Sequence, residues 1–213
     1  MKILVVLEDN QGTIHRMSKE AIVGAQKIGD SVIALAIGAN SQSLVSEISD
    51  IDLDEVITVN HELVSNYNAD GYAEVMKQVI DTENPKMIVS GHSYQTRDFM
   101  PRVSARLDIP FISDIISISE SDFTKQVLNA KLNATCSSNS DKVILSFQSA
   151  AFSEENMKKG SCIPRSFDID IDPLVIRSES ERPFQEASGD VDLESADLLV
   201  SVGRGIEKEE NLH

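Results

Sequence analysis

Residues 2–37 read KILVVLEDNQGTIHRMSKEAIVGAQKIGDSVIALAI, and this stretch predicts the architecture of the chain. A continuous apolar run at 3–7 is followed by turn residues at 9–12 and by a helical pattern over 13–28. Gly29 is expected to end that helix in the left-handed conformation, which glycine adopts at little cost. A second apolar run follows at 31–37. Strand, helix and strand in this order make a βαβ unit, in which the two strands are parallel and buried.

The same alternation continues beyond the first unit. Helical patterns near 41–49 and 71–82 alternate with apolar runs at 55–59 and 86–90, and each crossover helix needs a sheet face on which to bury its apolar stripe. Past Pro110, the extended runs at 114–119, 123–135 and 142–147 are separated by polar turns rather than helices. The pattern therefore predicts an α/β fold with a doubly wound, mostly parallel sheet and added mixed or antiparallel strands.

The last part of the chain suggests a second, smaller region. Residues 166–171 alternate strictly between polar and apolar, as a half-exposed strand does. A charged connector at 178–192 precedes an apolar run at 196–202, which is expected to be a buried strand leading into Gly203-Arg204-Gly205. The predicted organisation is an α/β domain over 1–180, followed by a connector, a strand and this glycine turn over 181–213.

Composition narrows the classes of partner. The 19 Lys and Arg residues face 35 Asp and Glu residues, so the net charge of -16 argues against binding nucleic acid or an anionic membrane surface. An acidic solvated surface is the favoured interpretation, and an acidic docking face for a basic partner is the alternative. Cys136 and Cys162 form neither a disulfide framework nor a zinc motif, and the apolar run at 3–7 is too short for a signal peptide, so a cytoplasmic location is expected.

The sequence contains no pattern typical of an enzyme's catalytic machinery. The four histidines, at positions 15, 61, 92 and 213, lack a second ligand at metal-binding spacing. A nucleophile elbow, a Walker loop and a dinucleotide G-x-G-x-x-G motif are also missing after the predicted strands. We therefore expect a protein that is not an enzyme and that holds no metal.

One loop and one helix remain as candidate sites. His92 follows the strand at 86–90, at the edge where an open α/β sheet holds a ligand. Hydrogen bonding of this histidine to the backbone is favoured over ligand binding. Arg97, Arg102 and Arg106 lie across the next predicted helix, and ion pairing with the chain's own carboxylates is favoured over a phosphate clamp.

Four segments, in order, resemble the alpha subunit of electron transfer flavoproteins. Residues 97–107, RDFMPRVSARL, resemble the helix that carries Leu-x-Pro-Arg-Val-Ala-Ala in that family, and 112–115 match its Ile-Ser-Asp-Ile. Residues 181–183 are similar to its Asp/Glu-Arg-Pro, and 200–206, VSVGRGI, resemble its Val-Ser-Gly-Gly-Arg-Gly. The chain departs from the family pattern at Thr96, Val202 and Glu209, where the family has Gly, and at Gln148, where it often has Arg.

The resemblance implies a Rossmann-like sheet of the adenine nucleotide alpha hydrolase-like type. It also implies an electron carrier that takes electrons from acyl-CoA or other dehydrogenases, as in fatty acid beta-oxidation, and passes them to a membrane quinone oxidoreductase or another acceptor. The FAD of such a carrier is held mainly by a second alpha domain and capped by a beta subunit. The motifs of that second domain, Ser-Arg, Gln-Thr-Gly and Gly-Ile-Ser-Gly-Ala, do not occur in these 213 residues.

Within this chain, only Arg204 matches a family residue that contacts the flavin. The resemblance therefore implies that the turn at 203–205 is a hinge into the flavin domain, and that this chain alone does not retain FAD. Two alternatives stay open. One is a stand-alone adenine-nucleotide-binding domain with its site near 91–96, and the other is a module that binds a beta-like subunit without transferring electrons.

Overall fold

The structure is a computed structural model and describes residues 1–119, 122–181 and 198–211, apart from the side chain of Glu209. The chain divides into two compact units, Met1–Ser180 and Glu181–His213. All helices and strands of the described residues lie in the first unit, except for two short 3₁₀ turns in the second.

The first unit alternates strands and helices through its first half and then continues with strands. In chain order these elements are β1 (Lys2–Val6), β2 (Asp9–Asn10), β3 (Thr13–Ile14), α1 (Arg16–Ile28), β4 (Ser31–Ile37), α2 (Ser41–Glu47), β5 (Glu55–Val59), α3 (Ala69–Glu83), β6 (Met87–Gly91), α4 (Tyr94–Leu107), β7 (Phe111–Ser119), β8 (Asp122–Val127), β9 (Leu132–Ser137), β10 (Val143–Phe147) and β11 (Ile163–Ser166). Short 3₁₀ turns occur at Glu62–Val64, Glu154–Asn156, Pro173–Val175, Arg204–Ile206 and Glu209–Asn211.

Nine of the strands form one sheet in the order β11-β5-β4-β1-β6-β10-β7-β8-β9. Every neighbouring pair from β11 to β7 is parallel, and the pairs β7–β8 and β8–β9 are antiparallel. The predicted doubly wound, mostly parallel sheet with added antiparallel strands is therefore confirmed. Among the later strands, β10 lies inside the parallel part between β6 and β7, and β11 joins the parallel part at its other edge beside β5.

Two hydrophobic layers cover the sheet. One contains Ile3, Val5 and Ile22, from β1 and α1, and the other contains Leu4, Met76 and Phe99, from β1, α3 and α4. Because β1 is buried on both faces from Ile3 onward, its sequence there is continuously apolar instead of alternating. The core is mostly aliphatic, as a chain with 5% aromatic residues requires.

Helix α1 differs from its prediction in its first residue and in the conformation of the glycine that ends it. It begins at Arg16 rather than Thr13, because Thr13 pairs with Asn10 in the small β2–β3 hairpin. Gly29 does end the helix, but in an extended conformation with φ −115°. A Cβ at Gly29 would lie 2.5 Å from the Cδ1 of Ile3, so close packing against β1 accounts for this glycine.

Two predicted strands are wrong. The first was expected at 166–171, but the strand in this region, β11, spans Ile163–Ser166 and ends where the predicted strand begins. The side chains at 167–171 still alternate between exposed and at least partly buried, although the pairing of β11 with β5 ends at Ser166. The alternating pattern therefore indicated one inward-facing side of the segment and not a strand.

The predicted buried strand at 196–202 also fails over its described part. Leu198 is 82% exposed, Val200 is 85% exposed, and residues 198–202 have no strand structure. An apolar run becomes a strand only when neighbouring strands bond to its backbone, and none pairs with 198–202 among the described residues. Residues 196–197 and most of the predicted connector, 182–192, lie outside the described residues.

Candidate functional site

The carboxyl edge of the parallel sheet is the place where this fold holds ligands. The strand order moves outward from β1 to β4 and β5, and it then returns to β6 on the other side of β1. Ligands of open α/β sheets bind at such a reversal, in the crevice between the carboxyl ends of the two strands. Here Glu8 follows β1, and His92 and Ser93 follow β6.

Protein side chains fill this crevice. The Ser93 hydroxyl donates a hydrogen bond to the Glu8 carboxylate. The Ser93 Oγ also accepts a hydrogen bond from the Thr96 amide at 3.1 Å, and Ser93 thereby caps the N-terminus of α4. A carboxylate near a helix N-terminus is electrostatically favourable, and this is also where a phosphate would bind. The Glu8 carboxylate therefore puts a negative charge beside this helix N-terminus, which disfavours a phosphate there.

Helix α1 packs closely against the carboxyl end of β6. A Cβ built on Gly91 would lie 2.4 Å from the Cβ of Met17 and 3.0 Å from its backbone carbonyl carbon. The first turn of α1 thus packs directly against the end of β6. Of the two features, the Glu8 carboxylate is the one that disfavours an anionic ligand near 91–96.

His92 is half-buried and is bonded into the scaffold rather than free. Its amide donates to the Phe147 carbonyl at 2.8 Å, and its Nδ1 lies 2.8 Å from the Ser146 Oγ. Burial lowers the pKa of the imidazole, and the nearby Asp114 carboxylate opposes part of that effect. The ring is therefore neutral at pH 7. The favoured interpretation, backbone hydrogen bonding, holds for the amide but is wrong for the ring, which bonds a side chain.

Ser146 connects His92 to a bulge in β7. The Ser146 Oγ accepts the Asp114 amide at 3.1 Å, so its own proton is available to the His92 Nδ1. Two residues of β7, Ser113 and Asp114, lie opposite Ser146 where the β10–β7 register shifts, and Asp114 has φ 62°. The Ile-Ser-Asp-Ile segment at 112–115 therefore forms a bulge whose free amide is satisfied by Ser146.

The importance of Ser146 was missed in the sequence analysis. A single serine in the apolar run Val143–Phe147, now found to be 0% exposed, was the available signal. Buried hydroxyls in such runs are hydrogen-bonded, so a partner across the sheet could have been expected.

Replacing Ser146 with alanine is expected to lower the free energy of unfolding by about 1–3 kcal/mol, because it leaves the partly buried Asp114 amide without this acceptor. Chemical denaturation measures this change. Ser149→Ala is a control, since the hydroxyl of that exposed serine accepts a hydrogen bond from Arg16 at the surface. A Ser146→Ala variant as stable as the wild type would contradict this role of the hydroxyl.

The arginines of α4 are engaged by the chain's own acidic groups. Arg102 lies 3.4 Å from Asp70 and 3.4 Å from Asp98, and Arg106 lies 2.7 Å from Glu74. The predicted ion pairing is confirmed for these two. The guanidinium of Arg97 instead stacks over the Tyr94 ring, with its Cζ 5.3 Å from the ring centroid.

Arg204 lies in the second unit. It begins the short 3₁₀ turn Arg204–Ile206 and is exposed, and a Cβ on Gly203 or Gly205 would meet no atom within 4 Å. The side chain is therefore open to a ligand. Its contact with flavin stays a prediction.

The part of the chain that the structure describes holds no group of three or more His, Cys, Asp and Glu residues placed to bind a metal ion. None of its helices combines the length and apolar character that a membrane crossing requires. Cys136 and Cys162 are free thiols.

Comparison with known proteins gives the family. A model of the electron transfer flavoprotein domain matches residues 3–168, which cover most of the chain. The chain belongs to the electron transfer flavoprotein family. The predicted resemblance is confirmed, and the strand edge that holds His92, Ser146 and the bulge lies inside the matched region.

Individual relatives carry the alpha-subunit name. The electron transfer flavoprotein subunit alpha of Bacillus subtilis (strain 168) is 30% identical over 98% of this chain and 66% of its own length. That of Thermoanaerobacterium thermosaccharolyticum is 28% identical over 96% of this chain and 65% of its own length. A probable mitochondrial electron transfer flavoprotein subunit alpha of Caenorhabditis elegans is 26% identical over 98% of this chain and 63% of its own length. The chain thus spans about two thirds of the length of these relatives.

Proposed function

We propose that this chain supplies the scaffold part of an electron transfer flavoprotein alpha subunit. In this proposal it pairs with a beta subunit, and the assembled protein carries electrons from flavin dehydrogenases to a quinone oxidoreductase or another acceptor. Membership of the family and the alpha-subunit names of its relatives support the assignment. The observation that carries the scaffold role is the filled crevice, in which Glu8 bonds Ser93 and Met17 packs on Gly91.

The FAD of such a protein would accept electrons from the donor and release them to the acceptor. At the crevice of the first unit, the Glu8 carboxylate bonded to Ser93 disfavours the phosphates of this cofactor. In the second unit, the Arg204 side chain is exposed beside two glycines that leave open space, which suits contact with a ring system. A fixed guanidinium there would favour the negative charge that develops on a reduced flavin. Most of the cofactor site is proposed to lie in residues outside this chain.

Co-expression with a beta subunit from the same source tests the pairing. We expect the two chains to elute together in size-exclusion chromatography, with much less than one FAD per pair. Separate elution would contradict the beta-subunit proposal. Stoichiometric yellow flavin on this chain alone would contradict the proposal that most of the site lies elsewhere.

Arg204→Ala tests the proposed flavin contact. Loss of a charged donor is expected to weaken FAD binding by the pair about tenfold, because a hydrogen bond from a charged group contributes about 1.5–3 kcal/mol. Fluorescence titration with FAD measures this, with Lys208→Ala as a control that removes a neighbouring charge of the same sign. Equal FAD affinity of Arg204→Ala and the wild type would contradict the contact.

A further inference from the structure

The segment that ends the first unit, residues 167–180, lies over α3 and is called the strap below. Its first half is held at several points. The Phe167 amide donates to the Thr58 carbonyl at 2.9 Å, and the Gln78 side chain bonds both the carbonyl and the amide of Asp170, at 2.7 and 3.2 Å. Ile171 is 5% exposed and belongs to the core. Residues 167–171 are therefore fixed by backbone, side-chain and apolar contacts together.

The second half of the strap, 172–180, is held differently. Leu174 is 86% exposed, and Val175 and Ile176 are only partly buried. Arg177 makes three contacts with one carboxylate, that of Asp70: the guanidinium Nη2 at 2.7 Å, the Nε at 3.2 Å and the backbone amide at 3.3 Å. The Ser180 hydroxyl also donates a hydrogen bond to the Tyr67 carbonyl. Polar contacts, most of them to Asp70, thus dominate the attachment of this half.

Asp70 is built to receive such a contact. Its side chain is 3% exposed in the first turn of α3, where a negative charge is favourable. Two arginines of α4 also face it, with the Arg102 Nη1 at 3.4 Å and the Arg106 Nη2 at 3.8 Å. Hydrogen bonding from Arg177 and the nearby positive charges hold the pKa of Asp70 below its usual range, so the carboxylate stays charged near neutral pH.

Open space lies beside the second half of the strap. A cleft of about 550 Å³ separates it from the loop before α3, with Leu63, Tyr67, Ile176 and Arg177 among its lining residues. The second half therefore has few packing contacts on one side. The ionic contact between Arg177 and Asp70 holds this half against α3, and the Arg177 side chain is itself 68% exposed.

We propose that the Asp70–Arg177 pair is a latch, and that residues 172–180 form a two-state element that docks on α3 or releases independently of residues 167–171. Release leaves the first half and the sheet in place. The strap immediately precedes Glu181, where the second unit begins. The latch therefore determines whether the last residues of the first unit are docked on α3 or released. The exposed arginine makes the docked state sensitive to salt.

Hydrogen exchange with mass spectrometry of the whole chain tests the latch. In Asp70→Asn, we expect the amides of Val175, Ile176 and Arg177 to exchange at least tenfold faster, while peptides covering 167–171 and the parallel strands keep their protection. In the wild type, about 1 M salt is expected to shift the same amides in the same direction, and to have little further effect in Asp70→Asn.

Two further variants make the test selective. Arg177→Gln removes the two guanidinium contacts from the exposed side, keeps the backbone amide contact, and is expected to accelerate exchange at the same amides without disturbing α3. Glu74→Gln, one turn along α3, removes the 2.7 Å partner of Arg106 and should leave the strap unchanged. Unchanged exchange at 175–177 in both latch variants would overturn the proposal, and so would equal acceleration over 167–171.

Discussion

Gly91→Ala is expected to lower the free energy of unfolding by about 3 kcal/mol, at the upper end of the usual cost of overpacking. An added Cβ would lie 2.4 Å from the Cβ of Met17 and 3.0 Å from the backbone carbonyl carbon and oxygen of Met17. The two residues in this contact both belong to regular elements: Gly91 ends β6, and Met17 lies in the first turn of α1. Relief therefore requires a shift of backbone rather than a change of rotamer.

Urea denaturation of Gly91→Ala, followed by circular dichroism, measures this effect. Met17→Ala provides a matched control, because it shortens the side chain but keeps the Cβ that causes the clash. The double variant Gly91→Ala/Met17→Ala should therefore remain as unstable as Gly91→Ala alone or become less stable. Full recovery of stability in the double variant would contradict a clash with the α1 backbone.

The second large effect is expected at Phe147, which is 0% exposed at the end of β10. Its ring packs edge to face on Phe152, with centroids 4.8 Å apart, and against α1 at Gly24. Phe147→Ala is expected to cost about 3–5 kcal/mol, because it removes buried apolar area and leaves a cavity. Thermal or urea denaturation monitored by circular dichroism measures the loss.

A second substitution, at Gly24, tests whether the effect of Phe147→Ala comes from this packing contact. A Cβ on Gly24 would lie 2.5 Å from the Phe147 Cε2, so Gly24→Ala should destabilise the wild type by about 1–3 kcal/mol. In the Phe147→Ala background, the same methyl should stabilise by about 1–2 kcal/mol, since it enters the cavity and raises helix propensity. The sign of the Gly24→Ala effect should therefore reverse, and the same sign in both backgrounds would contradict this packing.

Much of the fold was predictable from short-range pattern. The strands at 31–37 and 55–59 were predicted with the bounds that the structure gives, because parallel strands buried on both faces leave continuous apolar runs. The same signal failed at 198–202, where an equally apolar run is exposed. Apolar character reports a tendency to be buried, and it does not supply the neighbouring strand that burial in a sheet requires.

The candidate site was less accessible to sequence reasoning. The edge after β6 was located correctly, because the carboxyl ends of parallel strands meet at one side of the sheet. What occupies it depends on the bond between Glu8 and Ser93, which are 85 residues apart in the sequence. Neither residue belongs to a motif, and both are ordinary polar residues at the ends of elements.

The sequence by itself determined the fold class and the family, through strand and helix periods and through motifs that each span a few neighbouring residues. Only the tertiary structure decided that β10 lies between β6 and β7, which brings Ser146 to His92 and to the bulge at Asp114. It also decided that Arg177 returns to Asp70, 107 residues earlier. The reason is physical: periodicity records how each segment is buried, whereas contacts between distant polar groups depend on strand order and on the path of the chain between them.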